Sequence, residues 1–327
     1  MDKQYKIGII GAGKITDKHE KAISRRDDVI LAAVADIVEK KAKDIADKHG
    51  CNYYTSYNKM LEQEDLDIAI ITLPHFLHKE ASIDCAKKGC HILLEKPMAL
   101  DEEECNQIID VCNENNVKLL IGHVQSYQAA NIKAREIVEE GKLGQLLMIV
   151  NERYVDYFSD SRPDWFLDPE TAGGGITMNL GAHSLEIVKY LSGAQINSIK
   201  ADVGYHARGV EVEGNSMIFA SLDNGVKATV VLNGYKSIPG QTTKLFFTDG
   251  MLEVCYWPQK VTMKTRDDEI KEIELEAKSL LSQQLEQFID TIKNDKKPVI
   301  TGEYGRSIIK AIKAVYKSSE QEKEIFL

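Results

Sequence analysis

The segment GGGITMNLGAHSLE, residues 173–186, sets Asn179 four positions before His183. On a helix, positions i and i+4 share a face, so both side chains would look into one cleft. An imidazole titrates near pH 6.5 when unperturbed and can take or return a proton. An amide cannot accept a proton or stabilise an imidazolium as a carboxylate would, but it can hydrogen-bond a substrate hydroxyl through either end. A second candidate is Lys96 in LLEKPMAL, where Pro97 stops a strand and holds the amine at its carboxyl end. A lysine beside a positive ring, partly desolvated, is expected to have its pKa lowered toward a useful range. Together these groups suit removal of a hydroxyl proton while a carbonyl forms. The plainer alternatives are a structural histidine and a solvated surface lysine.

KIGIIGAGKIT supplies a different chemistry. Gly11 and Gly13 follow a strand and stand, with Lys14 and Ile15, at the mouth of a helix. There the first glycine permits a tight turn, and the second lets backbone approach a pyrophosphate at the helix N-terminus. The third glycine position of this fingerprint is Thr16. Asp36 ends the next strand in LAAVAD, where a carboxylate bonds the ribose hydroxyls of a dinucleotide. Asp36 would otherwise simply cap the following helix. Its charge repels a 2′-phosphate, and Ile37 and Val38 follow it, so NAD is expected over NADP despite Lys40 and Lys41 nearby.

These groups need a scaffold. YKIGII, VILAAVA, DIAIIT, HILLE and KLLIGH read as buried strands, separated by stretches of helical spacing. That alternation predicts an α/β Rossmann domain, a doubly wound parallel sheet, over residues 1–124. Gly50 and Gly89 fall where helices should stop. A helix near 129–140 ends at Gly141, and QLLMIVNERY, INSIKADVGY, NSMIFASL, VKATVVLNGY, TKLFFTDG, MLEVCYW and KVTMKT then predict a second, α+β domain over 125–327. Its sheet is expected to be open-faced and mostly antiparallel, with helices on one face.

Composition removes several classes. The chain has 327 residues, 43% hydrophobic and 28% charged, with a formal net charge of −10. No basic stripe is present to neutralise a phosphate backbone, so nucleic acid is not an expected partner. The longest apolar runs are strand-length, so no membrane span is expected, and MDKQYKIGII leaves no room for a signal peptide. Six cysteines without a CxxC pair fit reduced thiols in a cytoplasmic protein, and no metal-ligand set is completed around His75 and His78.

Taken in order, GAGKI, TLPHFLH, EKPMAL, RPDWFLDP, GGGITMNLGAH and the C-terminal helices resemble the glucose-fructose oxidoreductase/inositol dehydrogenase/rhizopine-catabolism (Gfo/Idh/MocA) family of NAD(P)-dependent oxidoreductases. The resemblance covers essentially the whole chain. It implies a Rossmann domain, an open-faced sheet domain, a sugar or polyol substrate held between them, and homodimers or homotetramers formed through the exposed sheet face. It makes Lys96 and His183 the catalytic pair, and Asn179 stands where the family usually has Asp. It runs the cofactor past Thr72, Leu73, Pro74, His75 and His78, with Glu95 near the nicotinamide ribose; His75 could equally cap the next helix. Tyr127 and Gln125 lie in a segment that usually carries Arg where Ser126 stands. Arg162 and Trp165 could line the sugar side with a fork of donors and a flat apolar face, or could form a loop staple tying domain to domain. Tyr154, Asp156 and Tyr157 are further candidates. The expected activity is NAD-dependent oxidation of a secondary hydroxyl of a sugar, glycoside, nucleotide-sugar or inositol, or reduction of the matching ketone. The alternatives are an NAD-retaining, redox-neutral glycosidase and a non-catalytic dinucleotide-binding regulator.

Overall fold

The computed structural model describes residues 3–267, 269–276 and 278–327. In chain order the elements begin β1 (Tyr5–Ile10), α1 (Thr16–Ile23), β2 (Val29–Ala35), α2 (Glu39–His49), β3 (Asn52–Tyr54), α3 (Tyr57–Gln63) and β4 (Ile68–Ile71). There follow α4 (His78–Lys87), β5 (His91–Leu94), α5 (Glu102–Glu114), β6 (Leu119–Ile121), α6 (Ala129–Glu140), β7 (Leu146–Tyr154) and α7 (Pro169–Ala172). A π-helical turn (Thr177–Gly181) leads into α8 (Ala182–Ser192), and strands β8 (Ile196–Gly204), β9 (Asn215–Leu222), β10 (Lys227–Asn233) and β11 (Gly240–Phe247) come next. The chain continues through β12 (Gly250–Tyr256), β13 (Gln259–Thr265), β14 (Ile270–Ile273), α9 (Leu280–Lys293), α10 (Gly302–Gln321) and β15 (Ile325–Phe326).

Six parallel strands in the order β3-β2-β1-β4-β5-β6 make the first sheet, the doubly wound arrangement expected of a Rossmann domain. Its central strands are covered on both faces: Ile7, Ile9, Ile68, Ile70, Ile92 and Leu93 are fully buried. Burying each such side chain stabilises the fold by roughly 1.5–3 kcal/mol. The strand order reverses direction between β1 and β4, and there the carboxyl ends carry Gly11 and Thr72. Gly50 ends α2 in the left-handed region, as its position suggests, and Gly141 does the same for α6. β3 and α3 have no counterpart among the sequence expectations. NYY is too short and too exposed to alternate, and YNKMLEQ is shorter than two full turns.

The second sheet has nine strands in the order β14-β13-β12-β11-β7-β10-β9-β8-β15. Its pairings are antiparallel except β7 with β10. Strict alternation of buried and less buried residues along β10 and β11 gives it one covered face. The other face exposes Met148, Met217 and Phe219.

By its internal contacts the chain divides into Met1–His123 with Ser279–Ser307, and Val124–Lys278 with Ile308–Leu327. The simple division at 124/125 therefore differs from the observed grouping, because α9 packs on α1 and returns to the first unit. Glycines at 302 and 305 let the start of α10 approach Ile109, Ile121 and Met98, a contact without a sequence signature. Asp28 anchors the returning segment: both its oxygens take the Arg26 guanidinium at 2.8 Å, and Lys293 of α9 reaches it at 2.6 Å.

The Arg26 hydrogen bonds, reinforced by Lys293, hold the Asp28 carboxyl down at about 2 against the opposing effect of burial. A depressed folded-state pKa stabilises above the unfolded value and is lost as pH falls through the folded one. Asp28→Asn is therefore expected to cost roughly 1–2 kcal/mol at neutral pH, after allowance for solvent screening. In urea unfolding curves the gap between variant and wild type should close as pH drops from about 4 toward about 2. A gap independent of pH would rule out the ion pair as its source.

Candidate active site

The glycine turn of the first unit is built around one close approach. Gly11 has φ +101°, and a Cβ there would lie 2.8 Å from the Thr72 carbonyl oxygen, so only glycine fits. At Gly13 a side chain would meet nothing within 4 Å. That open space at the start of α1 is the cradle a pyrophosphate requires. Thr16 is fully buried; its hydroxyl donates to the Gly11 carbonyl at 3.0 Å and lies 3.2 Å from the Thr72 hydroxyl. The bulk of Thr16 is thus used to lock the turn from inside. Asp36 accepts the Ala12 N–H at 2.7 Å and the Val38 N–H at 2.8 Å. It holds the turn leading into α2 and the glycine turn together, but it is not the cap of α2, whose N-cap is Val38 without a side-chain cap hydrogen bond. Lys14 is exposed at the mouth of α1, and Ile15 occupies its N-cap.

At the ends of β4 and β5, Glu95 and His78 organise the loop that carries Lys96. Glu95 is buried and its Oε1 lies 2.9 Å from His19 Nε2. Burial pushes its pKa up, but the His19 hydrogen bond and the nearby charges of His19 and Lys96 outweigh it and hold the carboxyl below its ordinary value. Gly122 is required beside it, since a Cβ would stand 2.9 Å from the Glu95 Cα. His78 is fully buried and bridges the Pro97 carbonyl at 2.9 Å and the Leu73 carbonyl at 2.8 Å. It ties the two loops together, and burial lowers its pKa. His75 opens the short 3-10 turn that follows Pro74. His19 has no signal in the sequence because its partner is 76 residues away and no local pattern links them.

In the second unit, the run Gly173–Gly175 exists for close packing. Gly173 ends α7 in the left-handed region. A Cβ on Gly174 (φ +145°) would strike the Tyr316 hydroxyl, and one on Gly175 the Glu213 backbone. The buried Glu213 carboxylate accepts the Gly175 N–H at 2.7 Å, the Thr177 N–H at 2.8 Å and the Tyr316 hydroxyl at 3.0 Å. It supports the π turn, so Asn179 sits in a widened turn and His183 in the first turn of α8, rather than both in one regular α-helix. His183 Nδ1 lies 3.4 Å from the Gln125 amide nitrogen and 3.6 Å from a carboxylate oxygen of Glu186. Glu186 is fully buried and also takes the Gln125 backbone N–H at 2.8 Å. The carboxylate that Asn179 lacks is therefore supplied three residues after the histidine. HSLE spells that i, i+3 spacing, the signal that was available in the sequence.

The remaining candidates lie in the Gln125 turn, at the end of β7 and in the loop beyond it. Tyr127 is buried in the turn with Gln125, near the Glu186 charge, and burial pushes its pKa up. Tyr157 is fully buried; burial pushes its pKa up to about 12, while Arg162 and the Asn179 amide act against it. Asn179 lies at the Tyr157 hydroxyl, though without a well-formed hydrogen bond to it. The Arg162 guanidinium stacks 3.7 Å from the Tyr157 ring, and its Nε donates to the Tyr157 carbonyl. Trp165 stacks on Phe166, with centroids 3.7 Å apart. Those contacts tie residues of this one loop to each other. Tyr154 donates to Glu152 at 3.1 Å. Among the described residues no group of three or more His, Cys, Asp or Glu could hold a metal, and no helix is long and apolar enough to cross a membrane.

Residues 5–123 match the oxidoreductase family with an NAD-binding Rossmann fold, and residues 131–253 match the GFO/IDH/MocA C-terminal domain. The chain belongs to the GFO/IDH/MocA oxidoreductase family. Its first unit is accordingly an NAD-binding Rossmann domain, and the glycine cradle, Thr16 and Asp36 fit that cofactor. Among relatives in this family, myo-inositol 2-dehydrogenase of Thermotoga maritima is 24% identical, the match covering 98% of each chain. A 2,7-anhydro-N-acetylneuraminate hydratase of Escherichia coli is 26% identical over 66% of this chain and 58% of its own. The aldose-aldose oxidoreductase of Caulobacter crescentus, solved with glycerol, shares the fold with a TM-score of 0.91 at 24% identity, covering 99% of this chain and 100% of that one. The chain spans between 58% and 61% of the length of several other curated relatives that it matches.

The buried Glu213 acceptor makes a specific stability prediction. Glu213→Gln turns one acceptor oxygen into an amide donor facing backbone N–H groups, and it should cost roughly 1–3 kcal/mol. Equilibrium urea unfolding measures it. A variant as stable as wild type would show that the π turn does not depend on this carboxylate.

Proposed function

We propose that the protein is an NAD-dependent dehydrogenase that oxidises a secondary hydroxyl of a sugar or polyol, or reduces the matching ketone. The observation that carries this reading is His183, held at Nδ1 beside the buried Glu186 carboxylate. An imidazole so placed can take a hydroxyl proton, because the resulting imidazolium sits beside a negative charge. NAD, when bound, supplies the hydride acceptor. Lys96 serves with His183 in proton transfer and in polarising the reacting C–O group, by resemblance to the family's lysine. Asn179 positions the substrate. NAD is preferred to NADP because Asp36 keeps a carboxylate at the turn and Ile37, 90% exposed, offers no cation to a 2′-phosphate. The inositol dehydrogenase and aldose oxidoreductase relatives support a polyol or sugar as substrate. The exposed Met148, Met217 and Phe219 support homodimers or homotetramers formed through the open sheet face.

A redox-neutral reading has one observation in its favour, the similarity to a hydratase. In that reading the same residues would serve a reaction without net nicotinamide reduction.

The test is nicotinamide reduction by purified protein with NAD⁺ or NADP⁺ across inositols, aldoses, glycosides, sugar acids and nucleotide sugars. Lys96→Ala and His183→Ala should each abolish turnover. Glu186→Gln should lower kcat/KM by about 10- to 100-fold and move the basic group's apparent pKa down, since a nearby carboxylate favours the imidazolium. Substrate consumption with no reduced nicotinamide would favour the redox-neutral reading. An unchanged pH profile in Glu186→Gln would remove Glu186 from the mechanism.

A further inference from the structure

Arg153 lies near the end of β7, on the covered face of the second sheet. It alternates with the buried Ile149 and Asn151, and its register partners are the buried Leu232 on β10 and Gln241 on β11. Its Nε and Nη1 are closed off from solvent and meet no acceptor. No acidic side chain compensates its charge; among the described residues only Tyr256 favours it. Burial lowers the guanidinium to about 10, which leaves it charged at neutral pH. The Trp257 ring, 5.8 Å from Cζ, is a weak counterpart. Beside it Gln241 Nε2 is a buried donor without an acceptor, and Asn151 Oδ1 a buried acceptor without a donor.

Buried polar groups in folded proteins are bonded, and a buried charge is costly without a counter-ion. Arg153 as a whole is half-buried and Nη2 is not among its closed-off atoms, so a partly desolvated positive charge that opens through Nη2 and a neighbouring buried amide donor both lack an acceptor on the protein. A carboxylate matches the single charge. A phosphate dianion would leave buried excess negative charge. The place is continuous with the His183 region. Gly181 of the π turn packs against Leu232, the cross-strand neighbour of Arg153. The Tyr256 hydroxyl donates to Asn131 at 2.6 Å, Asn131 donates to the Gln125 carbonyl at 2.9 Å, and the Gln125 side chain reaches His183.

We propose that Arg153 and Gln241 seat a carboxylate, so that the substrate of the His183 site is a sugar acid, aldonic or uronic, rather than a neutral polyol. This rests on the dehydrogenase reading only for calling the ligand a substrate; the seat itself is a binding claim.

The experiment is titration calorimetry of the full chain, loaded with NAD⁺, against D-gluconate, D-glucuronate, D-glucose, myo-inositol and inorganic phosphate. Wild type should bind the two acids at least about 10-fold more tightly than the neutral compounds, as a charge-assisted pair implies. Arg153→Met should weaken the acids by about 10- to 100-fold and leave the neutral compounds within about 3-fold. Arg153→Lys should recover part of the preference. The methionine variant should melt no lower than wild type, because methionine keeps the apolar stem and removes a partly desolvated charge that has no counter-ion. A lowered Tm would instead make Arg153 a structural residue and overturn the proposal. Equal binding of acids and neutral compounds, an acid preference surviving in Arg153→Met, no acid binding at all, or phosphate binding tighter than either acid would each overturn it as well. Arg153-dependent acid binding without nicotinamide reduction would leave the seat standing and sink the dehydrogenase reading. Reduction driven by neutral polyols, unimpaired in Arg153→Met, would do the reverse.

Discussion

A turn that leaves regular secondary structure strands its backbone N–H groups, and when the turn is buried each must find an acceptor. This chain meets that constraint with carboxylates at each of its candidate sites. Asp36 takes the Ala12 and Val38 N–H groups beside the dinucleotide cradle. Glu213 takes those of Gly175 and Thr177 beneath the π turn, and Glu186 takes that of Gln125 beside His183. The same acids that hold the turns also set the local charge. Asp36 supports the proposed choice of NAD, and Glu186 the proposed imidazolium. Removing any one of them would perturb shape and electrostatics together.

Legibility in the sequence depends on the range of the interaction. The first sheet can be read from apolar runs, because strands covered on both faces are continuous in hydrophobicity and glycines mark the turns between. The Gly11 turn, the helix stops at Gly50 and Gly141, and the one-sided second sheet follow from the same local rules. β3 and α3 are not legible, since three residues and seven residues carry no period. Nor is the return of Ser279–Ser307 to the first unit, which depends on α9 fitting α1.

At the candidate site the same division appears. His183, Asn179 and Lys96 stand out by type and local spacing. Glu186 is within reach, three residues from the histidine, but reads as an ordinary helix acid until burial is known. Glu213, His19 and Arg153 are out of reach. Each matters through partners 36 or more residues away, or through the lack of any partner, and a one-dimensional pattern encodes neither. The π turn reads as plain helix in the sequence because the Glu213 hydrogen bonds that hold it come from outside the segment.

The order β11-β7-β10 has a consequence for how the protein reaches this state. β10 and β11 are consecutive in the chain, yet they never pair, because β7 lies between them. No simple hairpin can nucleate the middle of the sheet. A strand made 79 residues earlier must be inserted first, as the separation of Asn151 from Val230 shows. Closing so long a loop before any contact rewards it makes assembly of this sheet slow and dependent on distant contacts. Until then β7 is an unpaired edge that includes the apolar residues Leu147 and Met148. The strand that brings Arg153 into the interior is therefore also the one that must wait for its two neighbours during synthesis.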